Sequence, residues 1–358
     1  MNKNSSIAIV AGIAIAIAVI ASVLAFSGIS NDSTPMESPE QANLVPQAEK
    51  ITILTSFYPY HEFTKNVAGD FADVKQFMPN GVEAHDWEPR AQEIQSLKDA
   101  DVFVYNGLGM ESYIENIIES GEFDNVVFLK ASEGVELLKF EDDHDDHAKH
   151  DDHDDHDDHD EHAKEDDHDD HEEGGHDGHD HDYEFDPHIW LDPILVKQQV
   201  NVIRDGLIQV DPDNKENYEE NARIYNDKLD ALDMKIGSAL SSCQKDTIVP
   251  YHNAFTYLGE RYDIHIMALG GMAPDSEASA AEIAEFVDFV KDNDIKVIFS
   301  EELVDPRLAE VIAEEANAQV MLFSPLEALS KEEAATNVSY IDKMEDNLDS
   351  LKVALECQ

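Results

Sequence analysis

Between residues 193 and 240 apolar side chains return at every third or fourth position: Val196, Val200, Ile203 and Leu207, then Tyr218, Ala222, Tyr225, Leu229, Leu232, Ile236 and Leu240. That spacing lines one side of a helix. Pro212 suits the first turn of a restarting helix, so residues 193–243 are expected to form a rigid connection in two helical pieces, not a floppy linker. A rod in mid-chain obliges the remaining sequence to fold on either side of it. Ahead of it, β-branched runs at 51–57, 73–78, 101–106 and 126–130 alternate with amphipathic stretches. Behind it, a second set follows at 247–252, 263–269, 296–300 and 319–323, with helices marked by Ser279 with Glu282 and by Ser330 with Glu333. The pattern predicts an α/β fold: two lobes with mainly parallel sheets, spanning 50–192 and 244–358, joined by a long rigid helix.

The first residues describe a different medium. Lys3 precedes an uncharged run at 7–26, long enough to cross a bilayer core of roughly 30 Å as a helix. Residues 1–28 therefore read as a signal peptide or an N-terminal membrane anchor, and 29–49, with Pro35, Pro39 and Pro46, as a flexible linker. The expected location is extracytoplasmic, secreted or held to the membrane by that N-terminal helix.

Acidic residues number 79 against 24 Lys plus Arg, a net charge of −55 that excludes nucleic acid as a partner. Much of it sits in one tract, 141–182, which holds 23 of the acidic residues and 12 of the 17 histidines. With almost nothing apolar to bury, the tract is expected to be a disordered loop inserted in the first lobe. Its histidines are His144, His147, His150, His153, His156, His159 and His162, then His168, His171, His176, His179 and His181. Imidazole at every third place among carboxylates makes a weak, multi-site chelator, which an inert spacer does not need, so the tract is assigned to auxiliary metal capture.

Three histidines outside the tract stand at predicted strand or loop ends: His85, His188 and His252. Carboxyl ends of strands in doubly wound sheets face the crevice where ligands bind. Three convergent imidazoles suit a borderline-soft divalent cation. Asp86 and Asp192 could hold an imidazole tautomer or cap a helix, and Trp87, Trp190 and Phe255 stand beside the three histidines, where they would exclude water. Cys243 precedes a predicted strand and Cys357 ends the last predicted helix. Both fall on the side of the second lobe opposite the strand carboxyl ends, where a bridge between them is permitted outside the cytosol.

At these residues the sequence resembles the solute-binding proteins of zinc and manganese ABC importers (cluster A-I, zinc-uptake type with a His-rich loop). The resemblance runs from residue 51 to the C-terminus. It rests on Thr55-Ser-Phe-Tyr-Pro59, the Gly81–Arg90 segment, Asp101-Val-Phe-Val-Tyr-Asn-Gly-Leu-Gly-Met-Glu111, Asp186-Pro-His-Ile-Trp-Leu-Asp192, Tyr251-His-Asn-Ala-Phe255 and Phe299-Ser-Glu-Glu302. It implies a monomeric two-lobe receptor, with His85, His188 and His252 as metal ligands, that delivers Zn²⁺ to a membrane ABC permease and performs no reaction. Manganese-type members place a carboxylate where this chain has His252, and three neutral nitrogens favour zinc.

The family's fourth ligand, an Asp in a Leu-Asp-Pro-Leu type segment, falls on Ser324 within Leu322-Phe-Ser-Pro-Leu326, and the alternative acid before the first histidine is Ala84. Water or Glu301 is left to complete the shell. Two other readings stay open: a surface adhesin or metal buffer of the same fold, and a zinc-dependent hydrolase. Against the hydrolase, the chain has neither a His-Glu-x-x-His helix nor a Gly-x-Ser-x-Gly turn.

Overall fold

The computed structural model describes residues 50–139, 184–271 and 279–358. The expected membrane-targeting segment and linker and the His/Asp tract lie outside these residues. Among the described residues no helix is long and apolar enough to cross a membrane.

The first lobe runs β1 (Ile51–Thr55), α1 (Tyr58–Ala68), β2 (Ala72–Gln76), α2 (Ala91–Ser96), β3 (Val102–Tyr105), α3 (Ile114–Glu119) and β4 (Val127–Lys130). Its strands form one all-parallel sheet in the order β2-β1-β3-β4. The β-branched and aromatic residues of β3 are buried on both faces, as helix-covered parallel strands require. α1 covers one face through Tyr60, Phe63 and Val67, each 0% exposed, and such side chains contribute about 1.5–3 kcal/mol apiece on burial.

α4 (Pro193–Val210) and α5 (Lys215–Leu240) follow, separated by a single turn at Pro212–Asn214. They run antiparallel. Lys197 pairs with Asp230, and Asn226 Nδ2 donates to Asn201 Oδ1 at 3.2 Å. The apolar series read from the sequence is the buried stripe of this pair, except Leu240, which is half-buried. Gly206 lets α4 lie directly on β4, because a Cβ there would meet Leu129 at 2.6 Å. The rod itself is α5. Its 26 residues, about 39 Å of helix, pack on α1 in one lobe and on the last helix of the other.

The second lobe holds β5 (Thr247–Ile248), α6 (Thr256–Tyr262), β6 (His265–Ile266), α7 (Ala280–Asp292), β7 (Val297–Ser300), α8 (Arg307–Ala316), β8 (Gln319–Leu322), α9 (Lys331–Ala334) and α10 (Tyr340–Ala354). Strands pair in parallel as β5-β6 and β7-β8. The strands expected at 247–252 and 263–269 shrink to two residues each. Pro250 lacks the N–H a ladder needs, although Phe299 N still donates to Val249 O at 2.8 Å and joins the two pairs. The Ser330 and Glu333 capping box forms, but it opens only the four-residue α9. Asn337, at φ 54°, turns the chain, and a second box at Ser339 and Asp342 opens α10. Cys243 and Cys357 are disulfide-bonded, tying the end of α10 to the start of β5.

Candidate metal centre

Loops at the carboxyl ends of four strands converge on one point. His85 lies in the loop after β2, His252 in the loop after β5, and Glu301 directly after β7. The loop after β8 carries Glu327. His188 caps the short turn Ile189–Leu191 that leads into α4.

His85, His188, His252 and Glu327 are all buried, at 4%, 0%, 0% and 5% exposure, with one donor atom from each lying within 4.8 Å of the others. Glu327 Oε1 stands 3.4 Å from His85 Nε2 and 3.3 Å from the Nε2 atoms of His188 and His252. A tetrahedron with bonds of ~2.05 Å has edges of about 3.3 Å, so these separations are those of donors around one zinc ion. His188 Nε2, His252 Nε2 and Glu327 Oε1 are buried without a hydrogen bond. Such orphaned atoms are costly unless a cation satisfies them together. Burial alone would raise the Glu327 carboxyl, but the three imidazoles facing it hold it well below the usual carboxylate range.

Two of the rings, His188 and His252, are fixed from behind. Asp186 Oδ1 accepts from the backbone N–H of His188 at 2.9 Å and lies 2.8 Å from its Nδ1, while Glu301 Oε1 lies 2.6 Å from His252 Nδ1. These carboxylates leave Nε2 of each ring to face the centre. Burial opposes charge on either ring, yet the adjacent carboxylates, Asp186 for His188 and Glu301 for His252, raise both pKa values. The loop bearing His85 is held by Glu83, whose two oxygens accept the N–H groups of His85 and Asp86 at 3.0 Å.

The structure brings together the three histidines read from the sequence and puts Glu301 behind His252, not among the converging donors. Ser324 takes no place in the centre, because its Oγ accepts the Leu326 N–H at 3.2 Å. The carboxylate stands three residues further on, where Leu326, at φ 59°, redirects the chain so that Glu327 points inward. Ser324-Pro325 signals a turn there, but not that it aims Glu327 inward. Asp192 is a helix cap, accepting from Ile194 N at 2.7 Å, and Asp86 is exposed. The tautomer-setting acid for His188 is instead Asp186, two residues before it, a short side-chain-to-backbone loop whose only sequence signal is the Asp-x-His spacing. Trp190 is fully buried with its ring 5.1 Å from His188. Phe255 packs tilted against Phe323 at 4.3 Å, and Trp87 packs edge-on against Phe77 at 5.4 Å.

Two α/β lobes backed by one long helix, with four buried donors closing on a point between strand ends, define a solute-binding protein for a metal ion. The chain belongs to the family described as zinc-uptake complex component A, periplasmic, whose model matches residues 53–354. It is 36% identical over 310 residues to the high-affinity zinc uptake system protein ZnuA of Bacillus subtilis (strain 168), covering 86% of this chain and 89% of that protein. Similarity to the zinc-binding lipoprotein AdcA of Streptococcus pneumoniae is 37% over 307 residues, 85% of this chain but only 55% of that longer protein. Among solved structures, the Zn(II)-bound ZnuA-like domain of Streptococcus pneumoniae AdcA superposes with a TM-score of 0.68 at 34% identity, covering 86% of this chain and all of that domain. The laminin-binding protein Lmb of Streptococcus agalactiae, described as having adhesin and metal-transporting activity, gives a TM-score of 0.70 at 26% identity, with 86% of this chain and 100% of that one covered.

Proposed function

We propose that the chain binds one Zn²⁺ ion tightly through His85, His188, His252 and Glu327 and delivers it, on the extracytoplasmic side of a membrane, to an ABC permease. The observation that carries this reading is the convergence of four buried donor atoms, with the Glu327 oxygen at tetrahedral-edge spacing from all three imidazoles. Three imidazole nitrogens favour zinc over manganese, which prefers oxygen and higher coordination. One carboxylate lowers the net charge of the loaded site from +2 to +1 and adds to its affinity.

Residues 141–182 act as auxiliary capture sites. Their twelve histidines among carboxylates bind zinc weakly and release it readily, raising its local concentration near the tight site. Imidazole binds only when neutral, so this capacity falls as pH drops through about 6.5. The likeness to Lmb favours a second reading, a surface adhesin that shares the metal site. Co-purification of the chain with a membrane permease supports delivery, whereas retention on laminin without any permease supports adhesion.

Metal analysis of protein purified from unsupplemented medium tests the central reading. The expected result is one equivalent of zinc that survives deletion of residues 141–182 and is lost in His252→Ala. Zinc that disappears with the tract, or that persists in His252→Ala, overturns it.

A further inference from the structure

The buried stripe of α10 is unusual in what it carries. A helix packed on a core ordinarily presents apolar residues on its inner face. Here Tyr340, Lys343 and Asn347, spaced three and four apart on one side, are 0%, 3% and 3% exposed. A buried amide or ammonium is costly unless every polar atom is matched.

All three have partners, and each of them reaches a segment that carries the metal centre. Asn347 grips Ser324 with both ends of its amide: Oδ1 accepts from Ser324 N at 2.8 Å, and Nδ2 donates to Ser324 O at 2.7 Å. Lys343 Nζ donates to Glu302, the neighbour of Glu301 that holds His252, and to Glu333 at 2.7 Å. Tyr340 donates to Trp190 O at 2.8 Å, and the Trp190 indole in turn donates to Pro325 O at 2.7 Å. Ser324 and Pro325 are thus pinned immediately ahead of Leu326, the left-handed residue that aims Glu327.

We infer that Asn347 is a positioning residue for zinc: its two-point grip on Ser324 fixes the start of the turn that holds Glu327 at the fourth coordination position. This rests on the reading of Glu327 as a zinc donor. Asn347 is not among the converging donors and touches Ser324, so its effect on binding runs through Glu327. Without the grip the three histidines, which are held by other groups, remain in place, and the site behaves as one lacking its carboxylate. Loss of an outer partner of this kind weakens metal binding by about 10–100-fold.

A double-mutant cycle tests it on the whole chain, with Asn347→Leu, Glu327→Gln and the pair together. Competition against a chelator reads the tightest zinc equivalent, and Co²⁺ substitution reads the visible spectrum of the centre. Asn347→Leu is expected to weaken zinc about 10–100-fold and to shift the Co²⁺ spectrum toward that of Glu327→Gln, while the pair is no weaker than Glu327→Gln alone within about threefold. Wild-type affinity in Asn347→Leu, or additive losses in the pair, overturns the inference and leaves the zinc reading intact. Wild-type affinity in Glu327→Gln overturns Glu327 as a donor and this inference with it. Circular dichroism of the metal-free variants checks folding. If Asn347→Leu does not fold, Asn347→Asp, which keeps an acceptor for the Ser324 N–H but replaces the donor facing Ser324 O with an oxygen, carries the cycle with the same expected non-additivity.

Discussion

Glu111 in the first lobe and Glu327 in the second are buried to nearly the same degree, at 3% and 5% exposure, yet they are held in opposite ways. Glu111 faces backbone: its two oxygens accept the N–H groups of Asn106 and Gly107, both at 2.9 Å. Burial dominates there and pushes its carboxyl up to about 7, although the N–H groups oppose it. Glu327 faces three imidazoles, and despite burial it is held well below the ordinary range. Burial is therefore no guide to role. The partners decide: fixed N–H dipoles use one acid to lock a turn, and titratable rings make the other part of a cation cage.

The largest expected effect separates the two acids by their consequence for zinc. Glu327→Gln should weaken the tight zinc equivalent at least about a hundredfold, roughly 3 kcal/mol, whereas Glu111→Gln should leave it within about threefold. Isothermal titration of metal-free protein measures both. Equal losses in the two variants would erase the distinction. Next in size are the acids behind the rings: Asp186→Asn and Glu301→Gln should each weaken zinc about 10–100-fold by freeing the tautomer and orientation of His188 and His252. A loss in Glu301→Gln that exceeds the loss in Glu327→Gln would move Glu301 into the inner shell.

The same contrast shows what can be read from sequence. β1 to β4, the α4 and α5 stripe and the three histidines are all local signals: β-branched runs, a period near 3.6, and ring-bearing residues at strand ends. Glu111 ends the Asp101–Glu111 motif, so its segment is visible in the sequence although its role is not. Glu327 was invisible for a physical reason. Its aim depends on a left-handed Leu326 and on contacts from Asn347, 20 positions later, and from Trp190 in a segment before α4, so the Ser324-Pro325 turn signal beside it does not reveal which way the carboxylate faces. The short strands of the second lobe escaped in the same way, because Pro250 limits a ladder whose length the hydrophobic run overstated.

The smallest effect concerns stability and pH. Glu111 binds its proton more tightly folded, with a pKa of about 7, than unfolded, near 4.5. The folded state then holds more protons than the unfolded one between those values, so this group's contribution is full below about 4.5 and is lost as pH rises through about 7. The phenols of Tyr60, Tyr105 and Tyr113 face it, and all are raised, so they stay neutral across that window and add no slope. Glu111→Gln removes the titrating group, keeps one carbonyl to accept an N–H, and should flatten the curve. Between about pH 5.5 and 7 the metal-free wild type should lose about 1.5 kcal/mol relative to the variant, measured as the shift in urea midpoint times the slope. Parallel curves for the two proteins would mean that Glu111 stays ionised when folded, and the contrast between the two buried acids would shrink to their partners alone.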